Sequence, residues 1–193
     1  MKNIKTADAE LYRKNYEVKR KLQVCGFPRS GNVFLSYLLR EVYYPQLSTS
    51  MPYHFEDTFD KFNRLIVPVR NPLEAIASFN NFLLPHSIQD DINLYININT
   101  KALNSVNTIF VNFDQFTSDV AYVKNIIKNN FNIEPMADPT IESIKQSIID
   151  GNHEIHLPNP ERYEAIESTK LVLSNMPEFQ DCVNIYNTLI SRC

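Results

Sequence analysis

Three short apolar runs, Lys21 to Phe27, Arg64 to Arg70 and Thr108 to Phe113, each lead directly into a segment whose apolar residues recur at helical spacing. No other feature constrains the fold as strongly. Strand, helix, strand, helix, strand, helix predicts a parallel sheet with right-handed crossovers, because parallel neighbours need a connection long enough to bring the chain back. Such a sheet is covered by helices on both faces, and its ligands collect at the carboxyl ends of the strands. The expected class is therefore α/β, three layers, with a central parallel sheet flanked by helices.

Within this frame Gly31 to Tyr43 reads as a helix, with Phe34, Leu35, Leu38, Leu39 and Val42 on one face. The second strand, RLIVPVR over Arg64 to Arg70, carries Pro68, which lacks an N–H and so predicts an edge position or a bulge. Asn71-Pro72-Leu73-Glu74 has the residues of a helix start: an Asn cap, a proline in the first turn and a glutamate three residues after the cap. That helix is expected to reach about Leu84. A further helix is expected over Thr117 to Asn130, with Val120, Val123, Ile126 and Ile127 inward. After Pro139 the pattern is helical, broken near Gly151 to Pro160 and at Pro177. With no repeat, low-complexity tract or Gly/Ser linker, one domain over 1–193 is expected, comprising an α/β core at 22–130 and a helical part at 139–193.

A chain of 193 residues with 44% hydrophobic content can bury one sizeable core. Its formal charge of −3 and pI near 5.8 argue against a surface built for nucleic acid or an anionic membrane. Any anionic ligand must then be held by a few placed cations. The first residues, MKNIKTADAELYRKNYEVKRKL, are polar where a signal peptide needs an apolar stretch, and no apolar run of about 18 residues occurs. Cys25, Cys182 and Cys193 are odd in number and outside any metal spacing, which predicts reduced thiols and a soluble, cytoplasmic protein. Cys25 reads as a small buried residue.

The turn between the first strand and its helix, Pro28-Arg29-Ser30-Gly31, has the makings of an anion site. Backbone N–H groups can converge there, the helix N-terminus adds partial positive charge, and Arg29 adds a full one. Two of the three glycines, Gly26 and Gly31, flank this turn, where backbone would approach a ligand closely. The Gly-x-x-x-x-Gly-Lys-Ser/Thr spacing of a Walker A loop is missing, which disfavours an ordinary ATPase or GTPase. At the second junction Arg70 ends a strand and Ser78 follows eight residues later. Two turns of helix put Ser78 on the face of Asn71, so a guanidinium fork and a hydroxyl can converge on one phosphate.

Pro28-Arg29-Ser30-Gly31-Asn32-Val33-Phe34 resembles the phosphosulfate loop of sulfotransferases that use 3′-phosphoadenosine 5′-phosphosulfate (PAPS). Arg70 through Ser78 is similar to the same family's 3′-phosphate motif, and TIFVNFDQF with its following helix to the segment behind the cofactor site. The resemblance covers residues 22 to about 130 and implies a P-loop-like sulfotransferase fold. It implies that Arg29, Ser30, Gly31 and Asn32 bind the 5′-phosphosulfate, and that Arg70 and Ser78 bind the 3′-phosphate. Phe34 would take the place of the tryptophan that stacks on adenine; by spacing alone it reads equally as core. The implied base, a histidine between the two motifs, falls on His54, with Glu56 as the alternative.

Several departures from the family are plain. Val33, within the loop, replaces a hydroxyl residue, Pro52 replaces a lysine near the base, and the late Arg-Lys-Gly segment is not recognisable after Pro139. Arg162 and Lys145 are the candidates to replace it. The chain is also shorter than typical members. His153-Glu154-Ile155-His156 is not a zinc-protease pattern, and no metal is expected. The implied activity is in-line transfer of a sulfuryl group from PAPS to a hydroxyl or amine on a small-molecule or carbohydrate acceptor. The rival readings are a non-transferring nucleotide-binding module of the same fold and a small P-loop-type kinase.

Overall fold

The computed structural model describes residues 21–44, 46–49, 64–82, 87–106 and 108–193. Four parallel strands, β1 (Lys21–Val24), β2 (Ser48–Thr49), β3 (Leu65–Val69) and β4 (Thr108–Asn112), lie in the order β2-β1-β3-β4. The helices are α1 (Asn32–Tyr43), α2 (Pro72–Asn80), α3 (Ile88–Asn104), α4 (Phe113–Phe116), α5 (Val120–Phe131), α6 (Ile141–Asp150), α7 (Tyr163–Ser174) and α8 (Phe179–Ile190). The expected α/β class with a parallel sheet is what the chain forms.

Strand periodicity divides the core into two layers. On β3, Leu65, Val67 and Val69 join a cluster with α2, α3, α7 and α8, while Ile66 joins the opposite cluster with α1, α5 and α6. All five β3 residues are buried, as expected for a strand covered on both faces. Cys25 is fully buried in the same cluster as Leu65.

The predicted edge position of Pro68 is corrected: β3 lies between β1 and β4. Gln23 N–H donates to the Arg64 carbonyl and Cys25 N–H to the Ile66 carbonyl, both at 3.1 Å, so the even-numbered residues of this segment face β1. The N–H that Pro68 lacks would point the same way. By that level β1 has ended; its register with β3 runs only to Val24 opposite Ile66. Gly26 stands there instead, so close that a Cβ on it would meet Pro68 Cδ at 3.1 Å. Proline is tolerated in an interior strand because its neighbour stops one step earlier.

Other boundaries move for local reasons. β1 ends at Val24 rather than Phe27, because the Phe27 carbonyl accepts from Ser30 N–H at 3.3 Å and from Asn32 Nδ2 at 2.8 Å, which closes a turn. α2 ends at Asn80 rather than Leu84. Asn81 Nδ2 donates to the Ala77 carbonyl at 2.9 Å and to Thr169 Oγ1 of α7 at 2.8 Å, ending one helix while tying it to another. α5 begins at Val120, where the Asp119 side chain accepts from Ala121 N–H.

α3 is an element that periodicity did not reveal. Its buried residues include Ile92, Tyr95, Ile98 and Ala102, a helical stripe, but Tyr95-Ile96-Asn97-Ile98-Asn99 also alternates with the period of a strand. The Tyr95 hydroxyl donates to the Arg70 carbonyl at 3.2 Å and so braces the end of β3. No helix among the described residues is long and apolar enough to cross a membrane.

Ile66→Ala should cost about 2–5 kcal/mol in urea denaturation, the range for truncating a fully buried aliphatic side chain. A cost under about 1 kcal/mol would contradict the interior placement of β3.

Candidate functional site

The carboxyl ends of β1, β3 and β4 open on one cavity of about 870 Å³. This is where the topology requires a crevice. The chain leaves β1 outward to β2, returns on the other side of β1 as β3, and the connections part between them.

The loop after β1 carries two departures from ordinary backbone, one on each side of Ser30. Arg29 has φ 63° and Gly31 φ 85°, both left-handed. Glycine is required at the second, because a Cβ there would lie 2.8 Å from Phe116 Cζ and 2.9 Å from two atoms of the Phe113 ring. Arg29 carries a side chain in that region at a cost of about 1–2 kcal/mol. Tertiary bonds hold it: Arg70 Nη1 donates to the Arg29 carbonyl at 2.7 Å, while Arg29 Nε donates to Ser78 Oγ at 3.2 Å. The Arg29 guanidinium also lies 4.3 Å from the centre of the Phe82 ring, and that of Arg70 lies 4.4 Å from Phe113.

α1 begins directly after this loop; its N-cap residue is Gly31, which has no side chain to cap it, and among the described residues the N-caps of α3, α7 and α8 make no side-chain cap bond either. Asn71, Asn112, Asp119 and Thr140 cap α2, α4, α5 and α6. Residues 31–34, the start of α1, line the cavity, and the first turn carries no acidic residue. The positive end of the helix dipole therefore faces the cavity without a carboxylate of its own to offset it.

Arg29, Arg70, Lys145, Arg162 and Lys170 also line the cavity, against the carboxylates Glu74 and Glu167. Both carboxylates are already engaged. Lys170 Nζ lies 2.5 Å from Glu74 and 2.7 Å from Glu167, and Arg70 Nη2 lies 3.8 Å from Glu74. Among the described residues no carboxylate pairs with Arg29, Arg162 or Lys145. Burial, reinforced by Arg162 and then Arg70, pushes the Arg29 guanidinium down to about 10. Burial lowers Arg70 too, opposed by Glu74 and Asp114. A chain of net negative charge thus gathers five cationic side chains and two carboxylates around this cavity.

Of the residues singled out from sequence, Arg29, Gly31, Asn32, Val33, Phe34, Arg70 and Ser78 line this one cavity. Arg162 and Lys145, the candidates from the helical part, line it as well. Ser30 is buried and does not line the cavity. Phe34 belongs to the core beside Phe116, ring centres 6.1 Å apart, and is buried although it lines the cavity. His54 and Glu56 lie outside the described residues.

The two motifs meet differently from the expectation. Ser78 accepts from Arg29 of the first motif, and Arg70 grips the backbone of that same loop. Periodicity alone did not single out Phe82, Phe113, Lys170 or His156. Phe82 is one helical turn beyond Ser78, a signal available in the sequence; the other three are brought in by tertiary packing.

Neither a family model, nor a curated protein, nor a solved structure matches this chain. Among the described residues no group of three or more His, Cys, Asp or Glu side chains could hold a metal ion. What the arrangement can do chemically is bind a compact polyanion against a helix N-terminus and flank it with aromatic rings.

Arg29→Gly removes both the backbone strain and the crowded charge, so in anion-free buffer it should melt above the wild type. It should also lose most of the stabilisation that sulfate or phosphate gives the wild type in the same calorimetric scan. The pH dependence has a definite sign. The folded pKa is lowered to about 10, below the ordinary guanidinium value, so the charged group opposes folding in full below pH 10, and that penalty fades as pH rises above it. The gap in stability between Arg29→Gly and wild type should narrow as the penalty fades and stay constant between pH 6 and 9.

Proposed function

We propose that the chain is a sulfotransferase that moves a sulfuryl group from PAPS to a hydroxyl or amine of a small-molecule or carbohydrate acceptor. Its parallel sheet would then be the core of a P-loop-like sulfotransferase fold. The observation that carries this reading is the meeting of Arg29, Arg70 and Ser78 at the uncapped start of α1, since those residues belong to the two motifs that resemble the family's donor site. A donor with phosphates on both sides of its ribose is long, and it needs cations from several elements. The loop supplies Arg29, the end of β3 supplies Arg70, and the helical part supplies Lys145 and Arg162.

In this reading the acceptor atom attacks sulfur in line with the bond to the 5′-phosphate. Arg29 and the first N–H groups of α1 stabilise charge on the transferring group and on the departing phosphate oxygen. A sulfuryl group carries less charge than a phosphoryl, so guanidinium and N–H donors suffice to balance it. The family resemblance assigns the acceptor's proton to His54. The ring of Phe113 or Phe82 is better exposed than that of Phe34 to receive the adenine, because both are half-buried where Phe34 is buried.

Titration with 3′,5′-ADP tests the donor site. At 100 times its dissociation constant a ligand bound only by the native state stabilises by about 2.7 kcal/mol, a shift of several degrees in melting temperature. Wild type should show it, and Arg70→Ala should lose most of it; an equal shift in both, or none in wild type, rejects the assignment. Radiolabelled PAPS with a panel of phenols, amines and sugars then separates transfer from binding alone, and Arg29→Ala should reduce transfer by roughly 10²–10³-fold. A shift with 3′,5′-ADP and no transfer to any acceptor would make the chain a binding module. A preference for magnesium-ATP would make it a kinase.

A further inference from the structure

Glu74 stands between two cations that come from different parts of the chain. It is the third residue of α2, four positions after Arg70, and its Oε2 lies 3.8 Å from Arg70 Nη2. Its Oε1 lies 2.5 Å from Nζ of Lys170 on α7, and the same Nζ lies 2.7 Å from Glu167 Oε1. The two contacts are unequal. A charge-assisted hydrogen bond to a carboxylate closes at about 2.7–2.9 Å, so the pair with Arg70 stands open and the pair with Lys170 is closed.

What Glu74 would take from Arg70 is what an anion needs. Arg70 Nη1 already donates to the Arg29 carbonyl at 2.7 Å, and the guanidinium carbon lies 4.4 Å from the centre of the Phe113 ring. A ligand in the cavity must therefore meet the rest of the fork, and at Nη2 it competes with Glu74. α7 is fixed beside α2 by bonds that do not involve the ammonium. Thr169, the residue before Lys170, is buried; its Oγ1 accepts from Asn81 Nδ2 at 2.8 Å and donates to the Ala165 carbonyl at 3.0 Å.

We propose that Lys170 is a positioning residue for the anion site: it holds Glu74 back from Arg70 and so leaves the Arg70 fork to the ligand. It acts through Glu74, while Glu167, three residues earlier on α7, steadies the ammonium. Once Glu74 closes on Arg70, an incoming anion has to break a salt bridge before it can bind. Any anion that reaches Arg70 is subject to this competition. For PAPS, with Arg70 on the 3′-phosphate, the role rests on the sulfotransferase reading above.

The test is a double-mutant cycle on the full chain, read as affinity for inorganic phosphate in calorimetric scans and for 3′,5′-ADP by titration. The variants are Lys170→Met, Glu74→Gln, Lys170→Met with Glu74→Gln, and Lys170→Met with Glu167→Gln. Methionine keeps an apolar stem at position 170, and the melting temperature in anion-free buffer reports any loss of packing. Lys170→Met should weaken phosphate binding about tenfold, and adding Glu74→Gln should restore most of it, a coupling within the range for side chains in contact. Glu74→Gln should gain much less in the wild-type background. Adding Glu167→Gln, which removes the same charge, should leave Lys170→Met weak. A gain from Glu74→Gln that is equal in both backgrounds, or an equal rescue by Glu167→Gln, means that Lys170 acts by bulk charge or direct contact and overturns the proposal. Unchanged phosphate affinity in Lys170→Met, or a wild type that phosphate does not stabilise, overturns it as well. The expected cycle with phosphate but no binding of 3′,5′-ADP by wild type upholds the role of Lys170 and rejects the sulfotransferase reading. In a chain that transfers, Lys170→Met should raise KM for PAPS more than it lowers kcat.

Discussion

β3 is held on both edges and on both faces, and the geometry of the site depends on that restraint. Arg70 follows the last residue of β3, and the Tyr95 hydroxyl fixes its carbonyl from α3. From that braced backbone the Arg70 guanidinium reaches back 41 residues to hold the carbonyl of Arg29. That bond keeps the loop in a left-handed conformation which costs about 1–2 kcal/mol. Each Val, Leu or Ile buried on β3 contributes about 1.5–3 kcal/mol, so a single strand residue can offset the strain. Strain at a ligand loop survives where the surrounding fold over-determines it, and here the over-determining part is an interior strand.

What was legible in the sequence was what lies in contiguous residues. The strand-to-helix alternation, the glycine-flanked turn and the cap at Asn71 are each written within a few positions, and each forms as local chemistry dictates. Pro68 misled because the rule for proline concerns the neighbour's need for an N–H, and only the register shows that β1 has already ended. α3 was hidden by a polar, asparagine-rich stretch whose apolar residues fit two periods at once. The far wall of the cavity was the least legible part. Arg162 and Lys145 could be named as candidates for want of a recognisable motif, whereas Lys170 and His156 gain their position from α7 and the 3-10 turns packing over α2. The bond from Arg29 to Ser78 spans 49 residues, and no local pattern encodes it.

The charges of the cleft are sorted by role. Lys170 lies between Glu74 and Glu167 and keeps those two carboxylates occupied with each other's partner, so they do little to damp the field of Arg29 and Arg162. Without Lys170 the carboxylates would be free to turn toward the arginines, at a cost to any incoming anion. An overall charge of −3 therefore says little about what this cleft attracts. Over the few ångströms of this cavity, placement outweighs sum, because in physiological salt the field of an exposed charge is screened beyond roughly 8 Å.

The covering of one face of the sheet by α7 and α8 bears on how the protein is made. Cys182 and Leu189 are fully buried against the β3, α2 and α3 layer, and Arg192 Nη1 bonds to the Leu103 carbonyl 89 residues earlier. During synthesis, β1, β3 and β4 leave the ribosome with that layer bare, and it stays bare until residues 179–190 have followed. The interval is one in which an apolar sheet face is available to chaperones or to other nascent chains. The cation cluster is incomplete over the early part of that interval too, since Lys145 and Arg162 belong to the helical part, which follows β4 in the chain.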